Sequence, residues 1–190
     1  SSAYAAGLAP ATMRTGAVTS QPIGHYEFCQ SHAAECAVKS DESNAPKLTT
    51  YGWDMVREVN SRVNATIVPI TDQDLYGREE VWAYPVDAGD CEDFVLEKRR
   101  ELMKRGFAAA NLLITVVRKP DGEGHAVLTV RTMDGDFILD NLDEGVRLWS
   151  ETPYRFMKRQ ADYDSGRWVK IENSNDVLVG AVDKQDRRSN

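Results

Sequence analysis

The sequence has no long hydrophobic run and no excess of basic charge. Its 190 residues include no segment near the ~18 consecutive apolar residues that a transmembrane helix needs. The 30 acidic residues outnumber the 23 basic ones and give a formal net charge of −7. Because binding to phosphate backbones depends on clustered Lys and Arg, this balance argues against a nucleic-acid partner. We therefore expect a protein that neither spans a membrane nor binds nucleic acid.

Cysteine is also scarce, with three residues in the chain. Cys29 and Cys36 lie close together and Cys91 stands alone, which suggests one disulfide and one free thiol. One continuous helix would separate Cys29 and Cys36 by about 10 Å, beyond the reach of a disulfide. A disulfide therefore requires the helix to end between them, near residues 31–34. Free thiols are the alternative, and the disulfide is the pairing that we expect.

A zinc site is a third reading of the same stretch, because His25, Cys29, His32 and Cys36 form a His-x3-Cys-x2-His-x3-Cys pattern. On one continuous helix, residues 25 and 36 would lie about 16 Å apart, too far for four ligands to share one ion. Helical geometry therefore makes zinc the least favoured of the three readings.

Composition divides the chain into three parts. Residues 1–21 are small and polar without a sustained period, and they predict a flexible N-terminal arm or a strand laid on the body. Residues 22–172 form the expected domain, and residues 173–190 a polar C-terminal tail. The chain opens without an initiator Met, which is compatible with a trimmed chain or with an exported protein whose signal peptide has been removed.

Hydrophobic periodicity changes along the domain. Apolar residues at helical spacing between residues 53 and 67 predict an amphipathic helix. Residues 112–117, 125–132 and 137–140 predict three strands of an antiparallel meander. The irregular connection at residues 70–88 is long enough to indicate a functional loop. Because the helices come first and the strands after, the order indicates an α+β fold.

The stretch GDCEDF at residues 89–94 places a cysteine among three carboxylates at a predicted helix start. Asp90 suits the cap of this helix, and Glu92 and Asp93 suit its first turn. A helix N-terminus stabilises a thiolate, which is the nucleophilic form of cysteine. Cys91 is therefore a candidate nucleophile, and a buried structural cysteine is the alternative.

His125 and Asp140 are the residues that can support such a nucleophile. His125 opens the second predicted strand and Asp140 ends the third, so antiparallel pairing can place them side by side. In that arrangement Cys91 attacks, His125 takes and returns the proton, and Asp140 orients the ring. Taken singly, an edge histidine and an aspartate beside a turn are ordinary structural residues.

The register of the two strands decides whether His125 and Asp140 meet. A two-residue turn at residues 134–135 would place Asp140 opposite Thr129, roughly 13 Å from His125. A triad therefore requires a wider loop, at about residues 131–134. The Cys91 backbone N–H is the expected oxyanion donor, and the Trp82 indole N–H is a weaker second candidate.

Three motifs, in this order, resemble the bacterial transglutaminase-like cysteine peptidases. They are GDCEDF at 89–94, GHAVL at 124–128 and FILDN at 137–141. The stretch PIGHYEFC at 22–29 and the helix around 59–64 add to the resemblance. It implies a papain-like core of transglutaminase topology, with helices packed on an antiparallel sheet.

The resemblance also implies site residues, a cofactor and partners. It places the family's catalytic residues at Cys91, His125 and Asp140. The LapG-type proteases of this family are periplasmic, depend on calcium and control biofilm attachment by releasing a large surface adhesin. Their calcium-linked acidic residues flank the cysteine, where this chain has Asp90 and Glu92. We therefore expect calcium, a periplasmic location and a protein substrate, with a surface adhesin and a regulatory inner-membrane protein as candidate partners.

Electrostatics gives a separate reason to expect a cation. Three carboxylates within one turn of Cys91 raise the pKa of its thiol and oppose attack. A hard divalent cation held by their oxygens would cancel that repulsion. Because calcium takes ~6 to 8 oxygen ligands, backbone carbonyls, waters or residues 71–74 must also contribute. The alternative is that the carboxylates only cap the helix and point outward.

Three functions are compatible with this sequence. The leading hypothesis is a cysteine endopeptidase that acts on an exported or cell-surface protein through a Cys-His-Asp triad and an acyl-enzyme. A transamidase with the same triad would use an amine in place of water. A binding module would keep the fold without turnover.

Overall fold

The structure is a computed structural model that describes residues 10–41 and 44–172. The tail predicted for residues 173–190 lies outside the described residues, as does the beginning of the arm predicted for residues 1–21. The described part of the chain is a helical region followed by a run of strands, with one strand before the first helix.

The described residues form nine strands in two sheets, and the larger sheet contains seven of them. The strands are β1 (Arg14–Thr19), β2 (Val68–Pro69), β3 (Ala88–Gly89), β4 (Leu112–Arg118), β5 (Gly124–Thr132), β6 (Gly135–Leu139), β7 (Arg147–Leu148), β8 (Arg155–Ala161) and β9 (Asp164–Glu172). The larger sheet has the order β1-β9-β8-β4-β5-β6-β7, and all of its pairs are antiparallel. The two short strands β2 and β3 pair in parallel. The predicted meander is therefore confirmed as β4, β5 and β6.

The N-terminal segment contributes an edge strand to this sheet. Strand β1 pairs with β9, with Arg14 opposite Glu172 and Thr19 opposite Trp168. Just before β1, the buried Met13 donates its backbone N–H to Asp136 at 2.8 Å. Of the two alternatives for residues 1–21, the described part takes the form of a strand laid on the body. The sheet thus begins before residue 22, where the sequence placed the start of the domain.

Four α-helices precede or interrupt the strands in the described part of the chain. They are α1 (Ile23–Ser31), α2 (Thr50–Thr66), α3 (Asp72–Tyr76) and α4 (Cys91–Lys104). Helix α2 begins three residues before the predicted start at residue 53, because Thr49 caps it by accepting a hydrogen bond from the Gly52 N–H at 3.0 Å. Helix α4 begins at Cys91, so the predicted helix start is confirmed.

Helices α2 and α4 pack against each other, and α4 packs on β5. The apolar stripe of α2 is buried in this layer, since Val56 and Val59 are 0% exposed and Val63 is 2% exposed. Burial of each such side chain contributes about 1.5 to 3 kcal/mol to stability. The α+β class, with helices packed on an antiparallel sheet, is confirmed.

Helix α1 ends between the two early cysteines. It stops at Ser31, and a short 3-10 helix follows from Ala33 to Cys36. Because of this break, the Cα atoms of Cys29 and Cys36 lie 5.8 Å apart, and the two residues form a disulfide. The break also brings His25 close to Cys36, which a continuous helix would keep far apart. The His25 Nε2 lies 3.7 Å from the Cys36 Sγ. With the sulfurs bonded to each other, neither offers a thiolate to a metal.

We predict that protein from an oxidising compartment contains the Cys29–Cys36 linkage and one alkylatable thiol, at Cys91. Non-reducing mass spectrometry after alkylation measures both. Replacement of Cys29 and Cys36 by Ser should lower the free energy of unfolding by about 2 to 3 kcal/mol on the loop-entropy account, measured by urea denaturation. Three alkylatable thiols in freshly isolated protein would contradict the linkage.

Candidate active site

The N-terminus of α4 is held by a buried carboxylate. Asp93 is 0% exposed and accepts hydrogen bonds from the Ala83 N–H at 2.9 Å and the Asp90 N–H at 3.4 Å. Gly89 lies against this side chain, where an added Cβ would stand 2.6 Å from an Asp93 oxygen. The motif around Cys91 therefore packs one carboxylate inward, and only glycine fits opposite it.

The Cys91 thiol is partly buried at the first position of α4. Its Sγ donates a hydrogen bond to the Glu92 carboxylate at 3.0 Å. Burial and the Glu92 charge raise the pKa of the thiol well above its ordinary value, while the Ala126 backbone N–H acts in the opposite direction. The thiol thus lies next to the start of β5, in surroundings that oppose its ionisation.

His125 and Asp140 are joined by a hydrogen bond. The His125 Nε2 lies 2.8 Å from the Asp140 Oδ1, and both side chains are buried. The same oxygen accepts the Leu142 backbone N–H at 3.0 Å, and the Asp140 Oδ2 accepts the Tyr154 hydroxyl at 2.5 Å. Burial raises the pKa of Asp140, but the hydrogen bonds from His125 and Tyr154 outweigh it and leave the pKa below its ordinary value. Asp140 is therefore an anion that is held in place from three sides.

The strand register that brings these two residues together differs from both predicted registers. Thr132 pairs with Gly135, so the two-residue turn is at residues 133–134 rather than 134–135, and no wider loop at 131–134 forms. Leu128 pairs with Leu139, which places Asp140 level with residue 127. Residues 125 and 140 are diagonal neighbours on one sheet face, within reach of an imidazole and a carboxylate.

Of the three predicted triad residues, His125 and Asp140 are thus in direct contact. Among the described residues, the Cys91 thiol has its hydrogen bond to Glu92 and not to His125. The thiol and the imidazole lie on either side of the first backbone positions of β5, since the Ala126 N–H faces the thiol. A rearrangement of the Cys91 side chain away from Glu92 is what proton transfer to His125 requires.

Tyr154 was missed by sequence reasoning. It follows a proline and precedes β8, and its ring centroid lies 5.4 Å from that of His125. No local pattern marks a tyrosine that contacts a residue 14 positions earlier across the sheet. A second missed contact comes from α2, where the Asn64 Nδ2 donates to the Asp140 backbone carbonyl at 2.9 Å.

The indole of Trp82, the second oxyanion candidate, packs toward α1. An added Cβ at Gly24 would lie 2.4 Å from the Trp82 Nε1. The Trp82 ring also lies 5.6 Å from that of His25, centroid to centroid. Of the two candidate oxyanion donors, the Trp82 indole thus packs toward α1, whereas the Cys91 backbone N–H lies at the start of α4.

A cluster of carboxylates lies beside the thiol. Asp72, Asp90 and Asp93 each present an oxygen, and these oxygens lie within 4.8 Å of one another. Asp72 comes from α3, inside the 71–74 segment that the sequence suggested as an additional source of ligands. Of the two predicted metal ligands, Asp90 belongs to this cluster, whereas Glu92 accepts a hydrogen bond from the Cys91 thiol.

The cluster is electrostatically unsatisfied. The Oδ1 atoms of Asp72 and Asp90 are buried and have no hydrogen-bond partner among the described residues. Burial, followed by repulsion from Glu92, raises the pKa of Asp90 to about 9, and burial raises that of Asp93 to about 7. Buried carboxylate oxygens without donors fit a hard divalent cation, which calcium is and zinc is not.

No helix among the described residues is both long and apolar enough to cross a membrane. No curated protein sequence matches this chain significantly. Solved structures of LapG from Legionella pneumophila do match it. The calcium-bound form shows 24% identity and a TM-score of 0.54 over 72% of this chain and 82% of that one. The EGTA-treated form shows 24% identity and a TM-score of 0.52 over 65% of this chain and 72% of that one.

These structures confirm the transglutaminase-like fold. The family model described as bacterial transglutaminase-like cysteine proteinase (BTLCP) matches residues 15–176, which is most of the chain and includes the whole candidate site. A cysteine peptidase, the enzyme class predicted from the three motifs, is thereby confirmed. The chain belongs to the bacterial transglutaminase-like cysteine proteinases.

Proposed function

We propose that this protein is an endopeptidase that cuts a protein substrate through Cys91, His125 and Asp140. The observation that carries the proposal is the buried 2.8 Å hydrogen bond between His125 and Asp140, formed beside the helix N-terminus that presents the thiol. A free cysteine at that position, next to an oriented imidazole, is the arrangement that thiol nucleophiles use.

Each residue has a separate task in this mechanism. Asp140 accepts a hydrogen bond from the protonated Nε2 of His125. The Nδ1 atom of the same ring is then free to accept a proton from the Cys91 thiol. The sulfur then bonds to the scissile carbonyl carbon, and the backbone N–H of Cys91 donates to the developing oxyanion. His125 returns the proton to the departing amine, and water, deprotonated by His125, releases the acyl group. Tyr154 keeps the second Asp140 oxygen occupied, so that the carboxylate stays turned toward His125.

We predict that Cys91→Ala abolishes turnover and that His125→Ala lowers it by about 10² to 10⁴-fold, because the acyl-enzyme needs both nucleophile and base. Asp140→Asn should have a smaller effect, because this carboxylate acts only through His125. The measurement is the initial rate of substrate cleavage. Asp134→Asn is the matched control, since Asp134 lies exposed in the turn between β5 and β6. Full activity in His125→Ala would refute the triad.

We predict hydrolysis rather than transamidation. Extracts of exported proteins incubated with the wild-type protein should acquire new N-termini that are absent with Cys91→Ala. A labelled primary amine added to the same reaction should not be incorporated at glutamine side chains. Mass spectrometry of the extracts reads both results, and amine incorporation without new N-termini would replace the peptidase with a transamidase. If neither product forms, the remaining hypothesis is a binding module that keeps the fold without turnover.

The proposal includes calcium at the carboxylate cluster. Asp72 and Asp90 would hold the ion through their unpaired oxygens, and Asp93 through the same cluster. When bound, the ion supplies positive charge that offsets the carboxylates around the thiol. A calcium-bound structure of LapG from Legionella pneumophila, a protein of the same fold, supports this choice of ion. Glu92 as a further ligand stays a prediction, and it requires the carboxylate to leave the Cys91 thiol.

We predict that a calcium chelator lowers the melting temperature and slows alkylation of Cys91 by iodoacetamide, and that added calcium restores both. Asp72→Asn and Asp90→Asn should remove the response, because each replaces a charged ligand while keeping its shape. Asp74→Asn, an exposed aspartate on the same helix as Asp72, should keep it. Calorimetry on metal-free protein that shows no heat of binding at millimolar calcium would contradict the site.

The location and partners of the enzyme follow from the same proposal. A periplasmic location is supported by the Cys29–Cys36 disulfide, since disulfides persist in oxidising compartments. A surface adhesin as substrate and an inner-membrane protein as regulator stay predictions that rest on the family resemblance.

A further inference from the structure

A groove of about 520 Å³ lies beside the candidate active site. We call it the basic groove, because four of the residues that line it are cations. Its lining residues are Thr19, Val116, Val117, Arg118, Gly124, Arg155, Phe156, Met157, Lys158, Lys170 and Ile171. No carboxylate occurs among these described residues, although the chain carries a net charge of −7.

The groove lies on the sheet face that carries the thiol. Val116 packs against the core cluster beneath α4 and is opposite Lys158, so Lys158 shares that face. Lys170 is opposite Lys158 and therefore lies there as well. The groove reaches Gly124, the residue before His125, at the end of β5. It thus runs across five strands and ends at Gly124, next to the candidate catalytic His125.

Two cations of the groove are placed in a way that costs stability. Lys158 pairs directly with Lys170 across β8 and β9. Like charges at directly opposite positions destabilise antiparallel strands. Burial lowers the pKa of Lys158, and no carboxylate counters that effect. This pair of like charges favours an anionic ligand over a contribution to folding.

We propose that the basic groove binds an acidic, extended segment of the protein substrate and leads its backbone to Cys91. This inference rests on the proposed peptidase function. The charges complement an acidic segment, and the half-buried, apolar Val116 among them suits a side chain of a peptide rather than a phosphate backbone. The enzyme would therefore prefer substrates with Asp or Glu on one side of the scissile bond.

Binding is tested with fluorescein-labelled octaglutamate, measured by fluorescence anisotropy, with octaglutamine as the uncharged counterpart. Octaglutamate should bind about tenfold or more tightly than octaglutamine, and its affinity should fall as salt is raised. Lys170→Glu should reduce the affinity for octaglutamate by about tenfold or more. Equal binding of the two peptides, or unchanged binding by the variant, would overturn the proposal.

Lys47→Glu is the matched control. Lys47 is exposed, and its replacement by Glu makes the same change of charge. It lies far from the groove, because the carbonyl of the preceding Pro46 accepts the Met133 N–H at the opposite end of β5 from Gly124. The Lys47→Glu variant should bind octaglutamate like the wild-type protein. Lys170→Glu should also melt at a higher temperature than the wild type, because it converts a like-charge pair into an opposite-charge pair. Weaker binding that came with lower stability would show damage to the sheet and overturn the assignment.

The position of the bound segment is tested by protection of the thiol. Octaglutamate should slow alkylation of Cys91 by iodoacetamide in the wild type, and less so in Lys170→Glu. Binding without protection would place the peptide elsewhere and overturn the proposal. This assay needs no turnover. If octaglutamate binds and protects Cys91 but the protein cleaves no substrate, the basic groove is supported and the peptidase proposal is refuted. If the protein cleaves substrates without preferring acidic ones, the peptidase proposal is supported and the basic groove is refuted.

Discussion

Helix α4 packs on β5, and this contact sets where the chemistry takes place. The helix buries its apolar face in the core, so its first residue, Cys91, lies at the end of β5 where His125 is the second residue of the strand. Asp140 directly follows the neighbouring strand β6. The candidate nucleophile, base and orienting carboxylate therefore converge because one helix is docked on one end of a meander.

Two groups of aspartates in this site show opposite electrostatic behaviour. Asp140 receives hydrogen bonds from an imidazole, a backbone N–H and a hydroxyl, and its pKa falls below the ordinary value in spite of burial. Asp72 is buried and Asp90 is half-buried, each has one buried oxygen that lacks a donor among the described residues, and burial raises the pKa of both. The difference comes from the neighbours and not from the residue type. It supports our proposal that the first orients His125 and that the others hold a cation.

The sheet also carries charge at some cost to its own stability. Lys158 and Lys170 are placed where opposite charges or an apolar pair would stabilise the strands better. Other surface charges are paired, as Arg105 is with Glu58 at 2.7 Å. The acidic segment that we propose for the basic groove gives this like-charge pair a reason.

The sequence by itself determined the features that depend on near neighbours. The period of apolar residues marked α2 and the meander, and the capping pattern marked the start of α4 at Cys91, because periodicity and capping act within a few residues. The register that joins His125 to Asp140 depends on a two-residue turn at residues 133–134, which matches neither of the two turns considered from the sequence, at 134–135 and at 131–134. The contacts of Tyr154 with Asp140 and of Asp72 with Asp90 were decided only by the tertiary structure, since packing between distant segments leaves no local pattern.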